Sequence, residues 1–310
     1  MIVGNKGLVV LSSLGWVDHG KLWVFDVAAD AERKIELSSK ASYLTLHSRS
    51  PEYFSVGHHF DGGHLELTVH RFASPDTVLA RAVIGLKPET FGDAAVWRHV
   101  PRLYVAYFGD PWHDSMLVVI GSDGTSKIQP LKWYGDSYDK GYQGVTDVVE
   151  VSSETALISV QRSSTLVFHD LAAGTQTKTL ELAGRGGNPT FLLRESANEI
   201  WTIDYDTVVV IDTSTWQVKL NRNLQPEASG CRQFLGDLAF SHDNACCVVA
   251  RPLSGDVLEL DPTTLKVRGT AALGAQPLEV AVVGPKHVIA RDWKTGALLR
   301  GSIRRKWWPA

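Results

Sequence analysis

The sequence has little cysteine and no excess of positive charge. Three cysteines, Cys231, Cys246 and Cys247, occur in 310 residues. They form neither a Cys-x-x-Cys spacing nor an even set, so neither a disulfide scaffold nor a zinc site is indicated. The net charge of −3 provides no broad basic surface, which binding to a nucleic-acid backbone needs. We therefore expect no nucleic-acid partner.

Long apolar runs are also missing. No run approaches the length of a membrane span, and no charged leader with a long apolar segment follows Met1. We expect no membrane span and a cytoplasmic protein, with a trimmed secreted form left open. The single basic cluster, Arg304-Arg305-Lys306, precedes Trp307-Trp308. We interpret it as a frayed, solvated terminus.

Helical periodicity is hard to find, and short β-type runs recur instead, bounded by Gly, Asp, Pro and Ser. Seven runs share one pattern, an apolar strand followed by a polar turn. They begin at residues 22, 64, 116, 165, 207, 256 and 296, so the spacing is 40 to 52 residues. A shorter apolar run precedes each of them. Four strands per repeat, labelled A to D with the recurrent run as C, are typical of a β-propeller.

Four of the C strands end in aspartate, and each of these residues has a mechanical role to fill. A carboxylate at this position accepts hydrogen bonds from backbone N–H groups one to two residues further on, which fixes the turn. We therefore predict a structural rather than a catalytic role for Asp26, Asp170, Asp212 and Asp261.

The C-strand pattern and the Gly-x-x-Pro entries, Gly186-Gly-Asn-Pro189 and Gly274-Ala-Gln-Pro277, resemble YVTN-type propellers and the wider quinoprotein amine dehydrogenase-like superfamily. Leu103-Tyr104-Val105-Ala106 is nearest to the family's strand. The resemblance implies an all-β fold, a seven-bladed β-propeller of four-stranded antiparallel blades. That superfamily hosts electron-transfer subunits, lyases, lactonases and binding modules, so the fold transfers no function.

The repeat spans residues 1–310, which we take as a single domain. Little chain remains for an A strand in the first copy or for a D strand in the last. Pairing of the N-terminal and C-terminal strands would therefore close the ring. Six blades would follow if one of the weak copies were false.

In a propeller all B–C loops lie on one side of the ring, together with the D–A connections. The B–C loops of this sequence carry five of the eleven histidines and three of the ten tryptophans, whereas the opposite turns carry small residues. Binding residues concentrate on loops held by a rigid scaffold. The predicted ligand-binding residues are Trp16, His19, Asp61, Asp110, Trp112, Asp114, Arg162, Asp204, Arg251 and Trp293.

Two functions are consistent with this loop face, which we expect at the mouth of the ring's central channel. The first is binding of a ligand or partner, because tryptophan and tyrosine stack on sugar rings or anchor a protein. The alternative is a metal-assisted or His/Tyr-dependent lyase or hydrolase acting on a small polar or carbohydrate substrate. Its catalytic candidates are His59, His113, Tyr138 and Arg291. A divalent metal is the cofactor that the loops would hold, through His58, His59, His64 and His113.

We favour the binding function. The expected partners are a small polar or carbohydrate ligand, or a protein. Whether the chain is an enzyme is left open at this point, and the sequence does not indicate an oligomeric state.

Overall fold

The computed structural model describes residues 2–3, 8–12, 21–26, 31–36, 40–46, 53–60, 64–71, 73–85, 94–99, 102–107, 115–120, 126–131, 145–160, 163–182, 184, 186–187, 190–224, 234–241, 243–284 and 286–305, with side chains mainly from residue 147 onward. Within those ranges the secondary structure is strand, turn and one 3-10 helix, Glu195–Ala197. No helix there is long and apolar enough to cross a membrane.

The described strands form seven sheets, and within each sheet they follow one another in chain order. Sheet 1 contains β1 (Ile2–Val3), β2 (Leu8–Ser12), β3 (Lys21–Asp26) and β4 (Ala31–Glu36). Sheet 2 contains β5 (Lys40–Leu46), β6 (Tyr53–Phe60), β7 (His64–Arg71) and β8 (Ser74–Gly85). Sheet 3 contains β9 (Ala94–His99), β10 (Arg102–Tyr107), β11 (Ser115–Ile120) and β12 (Ser126–Leu131). Sheets 4 and 5 contain β13 (Val145–Ser152), β14 (Thr155–Val160), β15 (Thr165–Asp170) and β16 (Thr175–Glu181); and β17 (Phe191–Arg194), β18 (Glu199–Asp204), β19 (Thr207–Asp212) and β20 (Gln217–Asn223). Sheets 6 and 7 contain β21 (Leu238–Phe240), β22 (Cys247–Arg251), β23 (Asp256–Leu260) and β24 (Val267–Ala272); and β25 (Pro277–Val282), β26 (His287–Asp292) and β27 (Leu298–Ser302).

A last short strand, β28 (Arg304–Arg305), adds a fifth member to sheet 6 by pairing with β24. The terminus is therefore not simply frayed there, which corrects the interpretation of this basic cluster. At the other end of the chain, β1 pairs with β2 of its own sheet. Pairing of the two chain ends is not among the pairs of the described residues, and ring closure stays a prediction.

The chain divides into two compact units, Met1–Gln161 with Val167–Lys178, and Arg162–Leu166 with Thr179–Ala310. Sheets 5, 6 and 7 lie in the second unit. The single domain stays a prediction.

The strands agree closely with those predicted from the repeat, and β15 and β19 have the predicted bounds. One departure concerns the B–C loop of the second repeat, which the sequence pattern predicts from Gly57 to His64. There β6 runs to Phe60 and β7 begins at His64, with His59 opposite Leu65. His58 and His59 therefore lie in a strand and not in a loop, whereas His64 begins the strand that the repeat predicts at this residue. Asp61-Gly-Gly is the strong turn signal of this segment, and histidine and phenylalanine continue a strand.

The core of the second unit lies between successive sheets. Sheets 5 and 6 enclose one cluster that includes Trp201, Val249 and Leu260. Trp201 is fully buried and packs edge-on against Phe240, with ring centroids 5.1 Å apart, as expected for a strand tryptophan. Sheets 6 and 7 enclose a second cluster. Because sheet 6 is covered on both faces, its central strands are buried in unbroken runs, residues 247–250 and 257–260, rather than at alternate positions.

The aspartates that end the C strands hold their turns as predicted. Asp170 Oδ1 accepts the N–H groups of Ala172 at 2.8 Å and of Ala173 at 2.7 Å. Asp212 and Asp261 do the same, and each accepts N–H groups two and three residues further on, where the sequence led us to expect one to two. The turn after Asp26 lies outside the described residues.

Candidate functional site

Two B–C turns of the second unit share one backbone design. Residues 251–255 join β22 to β23, and residues 292–296 join β26 to β27. The N–H of Gly255 donates to the carbonyl of Arg251 at 3.1 Å, and that of Gly296 to the carbonyl of Asp292 at 2.9 Å. Both glycines have a φ of 70°, a left-handed conformation that glycine adopts without steric cost. Both turns are therefore tight and leave little freedom to their tip residues.

Asp292 fixes the turn of sheet 7 from inside. Its Oδ2 accepts the hydroxyl of Thr295 at 2.5 Å and the N–H of Thr295 at 3.1 Å, and its Oδ1 accepts the N–H of Gln276 at 3.0 Å. The Thr295 hydroxyl is the main reason that the pKa of Asp292 lies below its usual range. The carboxylate is buried and acts as a structural anchor.

The turn of sheet 6 is braced by an ion pair instead. Arg251 Nε donates to Asp256 Oδ1 at 2.8 Å and Arg251 Nη2 to Asp256 Oδ2 at 2.5 Å, so the pair is bidentate across the hairpin. Both side chains are mostly buried. A planar guanidinium that is held on two oxygens has little freedom to meet a ligand, which indicates a bracing role.

One connection ties the two turns together. The segment 273–276 leads from β24 to β25. The carbonyl of Gly255 accepts the N–H of Leu273 at 2.9 Å, and the carbonyl of Gln276 accepts the N–H of Trp293 at 2.8 Å. The two B–C turns and this D–A connection therefore form one hydrogen-bonded surface, which we call the B–C surface of sheets 6 and 7.

Apolar side chains project from this surface. Leu253 is 48% exposed and Trp293 is 49% exposed, and they are the exposed large hydrophobic residues that the structure describes in the second unit. The ring of Trp293 packs edge-on against Phe234, with centroids 5.1 Å apart and an interplanar angle of 88°. Phe234 precedes buried Leu235, whose N–H donates to the carbonyl of Tyr205 at 2.7 Å. We call Phe234, Leu253 and Trp293 the apolar tips.

Asp204 ends β18 and organises a neighbouring connection. Its Oδ1 accepts the N–H groups of Gly186 at 2.8 Å and Gly187 at 3.1 Å. A Cβ on Gly184 would lie 2.3 Å from the Asp204 carboxyl carbon, so only glycine fits there. Burial raises the pKa of Asp204 above its usual range, although these N–H groups act in the opposite direction. The residue is buried and has the role of a loop anchor.

Three ionisable groups lie near the start of β25 and the end of β26: Asp237, Glu279 and Arg291. Arg291 is buried, and its Nη1 lies 3.4 Å from Glu279 Oε2. Asp237 stands beside the start of β25, where its N–H donates to the carbonyl of Leu278 at 2.7 Å. Burial raises the pKa of Asp237 to about 6, and the nearby Glu279 carboxylate adds to the effect. Arg291, predicted in a loop, lies within β26, because the turn anchored by Asp292 starts one residue later.

The predicted site residues thus fall into two groups. In the second unit, Asp204, Arg251 and Arg291 have internal partners and Trp293 is exposed. The side chains that lie outside the described residues are those of Trp16, His19, His58, His59, Asp61, His64, Asp110, Trp112, His113, Asp114, Tyr138 and Arg162. The metal site and the catalytic histidines and tyrosine stay predictions. No group of three or more metal-ligating residues occurs among the side chains that the structure describes.

Phe234, Leu253, Asp237 and Glu279 were not predicted. Leu253 lies within a B–C loop that the repeat predicts on this face, but the sequence prediction was limited to polar and aromatic residues. Phe234 follows a long D–A connection, and no sequence signal places it against Trp293. The two acids are separated by a whole repeat, so only the fold brings them together.

No protein-family model matches the chain, and no curated protein matches it. Solved structures do. The β-propeller domain of Cps50 (Swd1) from Myceliophteria thermophila is similar, with a TM-score of 0.71 and 12% sequence identity over 98% of this chain and 95% of that one. A protein from Lactobacillus plantarum has a TM-score of 0.67 and 11% identity over 97% and 94% of the two chains. At such identities the similarity shows the fold alone: the chain is a β-propeller.

Proposed function

We propose that this chain is a seven-bladed β-propeller that binds a protein partner through the B–C surface of sheets 6 and 7. The seven sheets of the described residues support seven blades, with one sheet for each copy of the repeat. The YVTN-like resemblance is retained only at the level of the repeat pattern.

The observation that carries the binding function is the placement of the apolar tips. Leu253 and Trp293 are each about half exposed, and both stand at the tips of B–C turns rather than at strand edges. Burying an exposed tryptophan and leucine in a partner is favourable, since each loses apolar surface to solvent. Tryptophan on a rigid support is also a frequent interface anchor, because few rotamers are lost on binding.

A protein fits this surface better than a small polar ligand. The polar groups that brace the two turns are already paired, Arg251 with Asp256 and Asp292 with Thr295. They therefore offer few free donors or acceptors for a sugar or a carboxylate. Leu253 and Trp293 are half exposed at turn tips, so they suit a facing apolar patch.

A photo-crosslinking experiment tests the proposal. A benzophenone amino acid replaces Trp293 in one variant and Thr263, on a C–D turn, in the matched control. In cells of the source organism, we expect a defined protein adduct from position 293 and none from position 263. The purified partner should then bind the wild type and lose at least about tenfold in affinity with Trp293→Ala plus Leu253→Ser. Equal adducts at both positions, or unchanged affinity, would refute the proposed surface.

The enzyme alternative is tested separately. A divalent metal in the purified wild-type protein, lost in a folded His59→Ala plus His113→Ala variant, would support a metal-assisted lyase or hydrolase. Metal content that is zero after expression with added Zn²⁺ and Mn²⁺ would count against the metal-assisted form.

A further inference from the structure

The last described residues leave sheet 7 and lie along the outer edge of sheet 6. The N–H of Ile303 donates to the carbonyl of Lys286 at 2.7 Å, and Arg304 and Arg305 then stand opposite Thr270 and Gly269 of β24. The fourth strand of a sheet presents unpaired N–H and C=O groups to any strand that approaches. Here residues 304–305 occupy part of that edge.

The contact has a charged anchor. Glu259, on β23, has no exposed surface, and Arg305 is its ion-pair partner. Arg305 Nε donates to Oε2 at 2.9 Å and Arg305 Nη2 to Oε1 at 2.7 Å. A buried carboxylate is tolerated when a charge and hydrogen bonds compensate it. Glu259 therefore requires a cation that arrives from beyond the first four strands of sheet 6.

The contact also has an apolar anchor. Ile303 is 4% exposed and belongs to the core cluster between sheets 6 and 7, with Ala271 and Val288. Gly269 makes room for it, because a Cβ there would lie 2.6 Å from Ile303 Cγ2 and 3.1 Å from the carbonyl oxygen of Arg304. Arg304 lies between the two anchors and is exposed. The edge thus accepts an apolar residue and an arginine two positions apart, which is the spacing of one face of a strand.

We propose that this edge of sheet 6 is a peptide-binding slot for an extended apolar-x-arginine segment of a partner protein, and that residues 303–305 are its built-in competitor. Strand addition to an exposed edge is a general mode of peptide recognition, in which main-chain hydrogen bonds give affinity and alternate side chains give specificity. The built-in segment pairs through two residues only, Arg304 and Arg305, so a longer partner strand would gain further pairs along β24.

The slot lies on the edge of the fourth strand, whereas the proposed B–C surface consists of turns. It is therefore a second binding site, and its existence does not depend on the first. Its partner is recognised by the buried charge of Glu259 and the small residue Gly269. A peptide with lysine or a neutral residue in place of the arginine would lose the two-oxygen contact.

Fluorescence anisotropy with a labelled peptide of residues 301–306, Gly-Ser-Ile-Arg-Arg-Lys, tests the slot. In the full-length chain, Ile303→Ser plus Arg305→Ala releases the built-in segment. We expect this variant to bind the peptide and the wild type to bind it at least tenfold more weakly, since the tethered segment competes at a high effective concentration. Arg304→Ala is the matched control, and it should behave as the wild type does.

Specificity is read with a second peptide in which alanine replaces the isoleucine and the second arginine. A released variant that keeps its β-sheet circular dichroism but binds neither peptide, or binds both equally, would overturn the proposal. A Gly269→Val change added to the released variant should abolish binding of the first peptide.

A disulfide lock between β24 and β28 tests the slot even if the Ile303→Ser plus Arg305→Ala variant does not fold. Thr270→Cys and Arg304→Cys lie directly opposite in the ladder, at a Cα separation that suits a disulfide. The oxidised lock should exclude the peptide, and the reduced protein should bind it as the wild type does. Equal binding in the two states would refute the slot. A dimer that forms in the reduced state and not in the oxidised state would assign the slot to a second copy of the chain instead of a partner.

Discussion

Two B–C turns of the second unit, 251–255 and 292–296, use the same backbone design as its C–D turns 212–216 and 261–265, and they differ in what stands at their tips. In the C–D turn 212–216 the N–H of Trp216 donates to the carbonyl of Asp212 at 2.7 Å, which is the bond that Gly296 makes to Asp292 at 2.9 Å in a B–C turn. The C–D tips are small and polar, Ser214-Thr215 and Thr263-Thr264. The B–C tips carry Leu253 and Trp293.

The two kinds of turn show which tip residues folding requires. Polar tips suffice to build this turn, so the exposed leucine and tryptophan are not required by folding. The fifth position differs as well. It is Trp216 or Leu265 with a positive φ in the C–D turns and glycine in the B–C turns. A Cβ on Gly255 would lie 3.0 Å from the carbonyl oxygen of Ala275, so glycine there allows the turn to dock on its connection.

The largest difference in stability should come from the anchoring aspartates. Asp292→Ala removes the acceptor of the Gln276 N–H, the Thr295 N–H and the Thr295 hydroxyl, which should lower the free energy of unfolding by about 2 kcal/mol. Asp212→Ala removes the equivalent anchor at an exposed C–D turn and should cost clearly less. Urea denaturation at pH 7 measures both. Equal losses would show that the B–C turn is no more firmly held than its counterpart.

Two glycine substitutions test the role of glycine at the fifth position of the B–C turn. Gly255→Ala combines a left-handed φ with a crowded Cβ, and should lower the free energy of unfolding by about 1.5–2 kcal/mol. Gly274→Ala has the same kind of φ but nothing within 4 Å of the new Cβ, so only the backbone term of about 1 kcal/mol should appear. If Gly274→Ala proved as costly as Gly255→Ala, docking on the connection would contribute nothing.

Two carboxyl groups on the B–C side should respond to pH in opposite ways. The pKa of Asp292 is lowered, so its contribution is present above the ordinary pKa of aspartate and is lost in acid. The pKa of Asp237 is raised by burial to about 6, above the ordinary pKa of an aspartate. Folding therefore favours its protonated form, and stability from this group falls as the pH rises from about 4 to 6.

Asp237→Asn removes this pH-dependent loss of stability and keeps a side-chain oxygen that can accept the N–H of Leu238. After allowance for partial solvent exposure, we expect the variant to gain about 1–2 kcal/mol over the wild type at pH 7.5. The gain should shrink as the pH is lowered toward 4.5. Thermal melts of both proteins across this range measure the difference, and a gain that is constant with pH would contradict the raised pKa.

The repeat predicted much of the fold because each of its signals is local. Strand bounds such as those of β15 and β19 follow from β-branched runs between turn residues, and Asp170 and Asp212 hold turns a few residues away. The fifth strand of sheet 6 could not be predicted, because it depends on a contact between Arg305 and Glu259 that spans a whole repeat.

The site was predicted less well, for a physical reason. Polarity on a loop does not tell whether a side chain faces a ligand or its own backbone. The sequence predicts Asp204 and Arg251 as ligand contacts, but hydrogen bonds to Gly186 and to Asp256 engage them internally. It predicts Trp293 on the same face, and among the predicted side chains that the structure describes Trp293 is the half-exposed one.

The smallest expected effect on stability is that of substituting a tip residue itself. Trp293→Ser converts a B–C tip into a C–D-like one and removes one edge-on ring contact with Phe234. An aromatic pair at a half-exposed site contributes about 0.5–1 kcal/mol, so the unfolding free energy should fall by no more than that. Thr213→Trp makes the reverse change at the equivalent position, directly after the anchoring aspartate, and should leave stability within about 0.5 kcal/mol. If Trp293→Ser instead cost as much as Asp292→Ala, the tryptophan would be part of the fold, and its exposure would no longer indicate a partner.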